Sequence, residues 1–132
     1  MSLIHIRVIT PAGIYRECDS PYLNIQTTDG DRGLLPNHMP IVASLRIGRM
    51  SCENNGVRDT FAVAGGLLYF RDNLAEILTD AIEGKKEIDL DRAKSAKDRA
   101  ERRLSANKQN LDVRRAQLAL QRALNRISVA EI

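Results

Sequence analysis

The chain has 132 residues, 43% of them hydrophobic, with no tryptophan and a formal charge of +3 at neutral pH. That length allows one small core of about 80–85 residues and leaves little room for a large catalytic domain. No apolar run approaches the roughly 20 residues of a membrane-crossing helix, and two cysteines without a CxxC or a nearby histidine pair argue against zinc.

The N-terminal stretch has no positive n-region, so no signal or transit peptide is expected. Leu3–Ile9 alternates instead, with Ile4, Ile6 and Val8 on one face and His5, Arg7 and Ile9 on the other. Thr10-Pro11-Ala12-Gly13 closes this strand as a turn. Strand-like runs follow at Ile14–Cys18, Tyr22–Thr27, Ile41–Leu45, Ile47–Glu53, Val57–Ala64, Leu67–Arg71 and Leu74–Ile82. Asn55-Gly56 is a strong hairpin signal, since both residues tolerate the positive φ of a tight primed turn. Some eight short strands without a helical period between them predict an antiparallel β sandwich or flattened barrel. Cys18 and Cys52 fall within such strands and are expected as buried, reduced thiols in a soluble protein of a reducing compartment.

Residues 30–40, Gly-Asp-Arg-Gly-Leu-Leu-Pro-Asn-His-Met-Pro, predict an elaborate loop fixed by two glycines and two prolines. Leu34, Leu35 and Met39 make it apolar, which marks a contact surface, although Leu35 equally suits the core beneath. His38 has no catalytic partner in view and reads as a structural hydrogen-bonding group.

Composition then changes abruptly. Every glycine, every proline and every aromatic residue precedes Lys85. Residues 1–84 carry 7 Lys/Arg against 10 Asp/Glu, a net of −3, and residues 85–132 carry 13 against 7, a net of +6. The chain therefore divides into a β domain over 1–84 and a basic helical arm over 85–132, giving an α+β class with strands first and helices second. Asp89 is placed as an N-cap or first-turn acid. Ala93, Ala96, Ala100 and Leu104 form one narrow helical stripe; Val113, Ala116, Leu120, Ala123 and Ile127 form a second. The polar tract 105–110, with Asn107 or Asn110 as a cap, joins two helices of about 15–18 residues into an antiparallel hairpin. Alanine faces bury little area, so this hairpin is expected to be marginal and able to open.

Arg92 and Arg99 share one face of the first helix, and Arg122 and Arg126 share one face of the second. Antiparallel folding would bring all four near the base of the hairpin as a phosphate clamp; geometry alone favours a solvated basic surface. No GxxxxGK[ST] or GxGxxG motif accompanies them.

Gly30-Asp31-Arg32-Gly33-Leu34-Leu35-Pro36-Asn37-His38-Met39-Pro40-Ile41-Val42 resembles the G-E-x-G-x-L-P-x-H-x-P-L-V signature of the epsilon subunits of F-type ATP synthases. Ala62–Leu68 resembles a second marker, with Ala64 in place of a serine, and the tail ending Asn125-Arg126-Ile127-Ser128-Val129 is similar to bacterial members. The resemblance implies a non-catalytic subunit whose sandwich meets the gamma subunit and the c-ring of the central stalk. The contact loop would present Asp31, Arg32, Leu34 and His38. It also implies C-terminal helices that either fold on the sandwich or extend into the alpha/beta catalytic head and block hydrolysis. The chain would then lie peripherally at the cytoplasmic face of a bacterial plasma membrane, reaching it only through the complex. Ile88-Asp89-Leu90-Asp91-Arg92-Ala93 matches in full the (I/L)-D-x-x-R-A motif of ATP-binding members. Glu83, Arg99, Arg122 and Arg126 occupy the accompanying positions. ATP is thus the implied regulatory ligand, with no required cofactor and no metal.

Three other readings fare worse. A nucleic-acid binder would use aromatic platforms, and residues 85–132 contain none. A hydrolase lacks G-x-S-x-G, paired carboxylates and a metal set. A plain scaffold adaptor would not raise ATPase activity when its tail is removed.

Overall fold

The alternation of Leu3–Ile9 becomes the first strand of the computed structural model, which describes residues 2–106 and 110–132. β1 (Ile4–Thr10) buries Ile4, Ile6 and Val8, and β2 (Gly13–Ser20) returns antiparallel beside it. β3 (Leu23–Thr27), β4 (Gly30–Leu34), β5 (Ile41–Asn54), β6 (Val57–Arg71), β7 (Leu74–Leu78) and β8 (Ile82–Gly84) follow. Asn55 at φ 53° and Gly56 at φ 79° turn β5 into β6, as the Asn-Gly pair predicts.

The strands form one sheet in the order β2-β1-β7-β6-β5-β3-β4, with β8 paired to β6. It folds on itself because β5 and β6 are long, 14 and 15 residues. The first half of β5 and second half of β6 lie with β7, β1 and β2; their other halves lie with β3, β4 and β8. One pairing, β1 with β7, is parallel, so the sandwich is antiparallel in all but this seam. Phe61, Phe70, Met50, Leu68, Ile77, Leu23 and Leu34 fill the space between the layers.

Four strand assignments differ from expectation. The predicted breaks at Arg46 and Gly65-Gly66 do not end β5 or β6. Gly65 and Gly66 take φ of 85° and 123° and kink β6; the ladder to β5 skips Arg46 and Gly65 but resumes in the same register. At Gly66 a Cβ would stand 1.9 Å from the Leu78 carbonyl oxygen, so only glycine lets β6 and β7 approach there. Leu74–Ile82 is two strands, because the chain leaves β7 at Thr79 and crosses to pair with Phe61–Val63 as β8. Finally, Gly30–Leu34 of the expected loop is a regular strand. Its Gly-Asp-Arg-Gly run hides any alternation, but Leu34 lies opposite Leu23 and enters the core.

A single 3-10 turn (Lys85–Glu87) leads to α1 (Leu90–Ala106) and α2 (Asn110–Ala130). Asp89 caps α1: its Oδ1 accepts the Arg92 amide at 3.1 Å, and its carbonyl accepts the Ala93 amide at 3.0 Å. Asn110 opens α2, whereas Asn107 lies outside the described residues. With no helix breaker after Gly84, α2 continues for 21 residues, past the expected length. The two helices pack through Ala93 and Ala100 on α1 and Ala116 and Ala123 on α2, each spaced by two turns and buried.

Candidate functional site

The hairpin meets the sandwich along α2. Arg126 Nε lies 2.7 Å from Glu83 Oε1 on β8, with both side chains about one-third exposed. One residue earlier, the Asn125 amide donates to the Gly48 carbonyl at 2.8 Å and to the Val63 carbonyl at 3.4 Å. Gly48 and Val63 are partners in the β5–β6 ladder, so Asn125 straddles both strands. Around these contacts lies a cleft of only about 10 Å³, lined by Ala62, Ala64, Ala81, Glu83, Arg122 and Arg126, among others. The seam is closed: three of the expected site residues, Glu83, Arg122 and Arg126, line it together, and Glu83 pairs with Arg126.

The remaining expected ATP-site residues lie apart from this lining. Asp89 is committed to capping α1. Ala93 is buried in the helix–helix contact, Ile88 is half-buried, and Arg92 and Arg99 are exposed. The structure thus places Arg122 and Arg126 in the seam lining and leaves Arg92 and Arg99 exposed outside it. Each of Arg92 and Arg99 directly precedes a buried alanine, which turns the arginine about 100° away from the α1–α2 seam. Asn125 was not singled out by sequence reasoning. Its helix-face neighbours Gln121, Arg122 and Ser128 are polar, so no apolar stripe marked it.

At the opposite end, the loop after β4 is fixed from beneath. Asn37, at φ 70°, donates its amide to Asn73 Oδ1 at 2.6 Å, and Asn73 Nδ2 returns a bond to Asn37 Oδ1 at 3.2 Å. The half-buried His38 bonds the Met39 carbonyl through Nδ1 at 2.7 Å and stands edge-on to Phe70, ring centres 5.7 Å apart. That is the structural role its isolation predicts. Asp31 and Arg32 are exposed, and Asp31 faces Arg46 at 3.6 Å. Leu34, expected on the contact surface with them, is instead fully buried; β alternation sends it into the core. Leu35 takes the outward place at 63% exposed, joined by Met39 at 72% and Val42 at 66%. Val42 pairs with Tyr69 across the ladder, and Leu67 pairs with Leu78. These side chains continue the apolar surface over the outer face of the sheet.

Cys18 and Cys52 are both free, and Cys52 is completely buried. A hydrogen bond from the Cys52 thiol, with help from Arg16, pulls Cys18 down to about 6, and the same contact together with burial pushes Cys52 up. Cys52 is buried as expected, whereas Cys18 is only partly buried and packs against the core from its edge.

Residues 3–85 match the ATP synthase Delta/Epsilon chain beta-sandwich domain, and residues 86–131 match the ATP synthase Delta/Epsilon chain long alpha-helix domain. An ATP synthase epsilon chain of Halalkalibacterium halodurans is 42% identical over 131 residues, 98% of each chain. One of Bacillus velezensis is 41% identical over 130 residues with the same coverage. In three dimensions the chain is similar to a subunit in the OSCP/F1/c-ring of Euglena gracilis mitochondrial ATP synthase. The TM-score is 0.85 at 19% identity, over all of this chain and 83% of that one. With both domains matched in order and full-length relatives above 40% identity, the chain belongs to the ATP synthase Delta/Epsilon chain family.

Proposed function

We propose that the chain is a non-catalytic central-stalk subunit that links the catalytic head to the c-ring and uses its helical arm as a nucleotide-sensitive brake on ATP hydrolysis. The observation that carries this reading is the narrow attachment of the arm. α1 packs mainly on α2, and α2 reaches the sandwich through Asn125, Arg126 and a few neighbours. An element held by so few contacts can leave without unfolding the body beneath it. The net of +6 on residues 85–132 suits an acidic surface on the alpha/beta head once the arm extends.

The sandwich supplies the stationary grip. Its pinned loop, with Asp31 and Arg32 beside exposed Leu35 and Met39, suits the c-ring, and the adjoining apolar sheet face suits the gamma subunit. No helix among the described residues is long and apolar enough to cross a membrane. Association at the cytoplasmic face of a bacterial plasma membrane would therefore run through those partners.

ATP would favour the folded arm by binding across Ile88–Ala93, Arg92, Arg99, Arg122 and Arg126. There ATP would compete with Glu83 for Arg126. Only a folded arm offers both helices at once, which is the differential affinity that a switch requires. Removing residues 88–132 should raise ATP hydrolysis by the assembled synthase, and an unchanged rate would refute the brake. Millimolar ATP should raise the melting temperature of the full chain, and Arg92→Ala should abolish that rise.

A further inference from the structure

A broad concavity lies outside the lining of the helix seam. It is a cleft of about 930 Å³ between the β3–β4 hairpin, the β5–β6 ladder and the 3-10 turn. Cavities of about 300–1,000 Å³ commonly hold small ligands. Register sets its floor: Asn24 stands opposite Ser51, and Ser51 opposite Thr60. Arg49 and Arg58 flank this row. Arg49 is two residues before Ser51 on β5, and Arg58 pairs with Glu53, two residues after it. Their anchors are about 14 Å apart, four residues at about 3.3 Å each along the strand and about 5 Å across to the next, so extended side chains from both can meet midway.

The charge balance of the walls is uneven. Besides Ile132, whose main-chain oxygen accepts from Lys85, three side-chain carboxylates line the cleft, and each of the three is already engaged. Asp59 accepts from Arg16 at 2.7 Å, Asp31 faces Arg46 at 3.6 Å, and Glu87 accepts the Tyr15 hydroxyl and, at 2.9 Å, the Gly84 amide. Arg32, Arg49, Arg58 and Lys86 also line it, and among the described residues none has a carboxylate oxygen within 4.0 Å. Arg58 is held in place as well: its Nη2 donates to the buried Ser51 hydroxyl at 3.1 Å. The other guanidinium N–H groups stay available for a ligand.

We propose that this cleft is a second anion site, separate from the helix seam, for a small soluble ligand carrying a diphosphate group. Arg49 and Arg58 grip the phosphates in forked hydrogen bonds, and Lys86 adds charge from the 3-10 turn. A cavity walled on three sides favours a compact polyanion over an extended acidic segment.

Backbone-amide NMR of the full chain, titrated with inorganic pyrophosphate at constant ionic strength, tests this. Residues 24, 49–51 and 58–60 should shift saturably, with half-saturation below about 1 mM. The double variant Arg49→Gln/Arg58→Gln should bind at least about tenfold more weakly at an unchanged melting temperature. Shifts that fail to saturate by about 10 mM, or that sodium chloride reproduces, overturn the proposal. So does saturation by phosphatidylglycerol vesicles in place of pyrophosphate, which would assign the patch to a membrane surface. ATP-induced shifts at Arg122 and Arg126 should survive in the double variant; their loss would merge the two sites and overturn their separation.

Discussion

The sandwich and the hairpin solve the same packing problem with different side chains. Between its layers the sandwich buries Phe61, Phe70, Met50 and a set of leucines and isoleucines. The helices bury Ala93, Ala100, Ala116 and Ala123 against each other. A fully buried Leu, Ile or Phe contributes about 1.5–3 kcal/mol, and an alanine methyl only a fraction of that. The body is therefore held by large side chains, and the arm by shape and by a few polar contacts. Such a division lets one part stay folded while the other moves.

Removing a sandwich side chain should break this contrast most strongly. Phe70→Ala empties the space between the layers and takes away the edge contact of His38, so it should cost about 3–5 kcal/mol. Urea denaturation would show it, and a loss below about 1 kcal/mol would mean that the sandwich is no better packed than the arm. At the seam the effect should be smaller and local. Asn125→Ala removes the donor to the Gly48 and Val63 carbonyls, at a cost of about 1 kcal/mol. Amide exchange should then quicken several-fold in α2 while β5 and β6 keep their protection; equal loosening of both would deny the arm its independence.

The smallest expected effect is on pH dependence. His5 Nε2 and Nδ1 lie 3.0 Å from Glu17 and 2.8 Å from Asp19, and those carboxylates, Glu17 first, raise its pKa above the ordinary 6.5. A raised folded value gives stability that is complete below 6.5 and fades as pH climbs through the folded pKa. Glu17 is lowered by His5 and then Arg7, so its share is present above the ordinary 4.5 and fades as pH falls through its own folded pKa. The urea midpoint should drop slightly between about pH 6 and about pH 8, and His5→Gln should flatten that drop. Exposure of all three side chains keeps the effect small.

Local chemistry made much of this legible. The alternation of β1, the Asn55-Gly56 turn, the Asp89 cap and the alanine stripes all rest on residues within a few positions of one another. Gly65-Gly66 misled for the same reason. Read locally, two glycines end a strand; in the fold they allow a kink because β7 passes within a methyl's reach. Leu34 and Leu35 differ only in the phase of β4, which its pairing with β3 sets. The candidate site divides along this line too. Resemblance named Glu83, Arg122 and Arg126 together, and the fold brings them together. Arg92 and Arg99 stay exposed outside the seam lining because burial of Ala93 and Ala100 fixes the rotation of α1.

By itself, the sequence determined that a glycine- and proline-punctuated β body precedes an unbroken basic helical arm, because turn and helix preferences act over a few residues. Only the tertiary structure decided that one sheet folds over itself, that Asn125 and Arg126 form the seam, and that Arg49 and Arg58 flank an open cleft. Those features join residues tens of positions apart, and only packing and strand register bring them into contact.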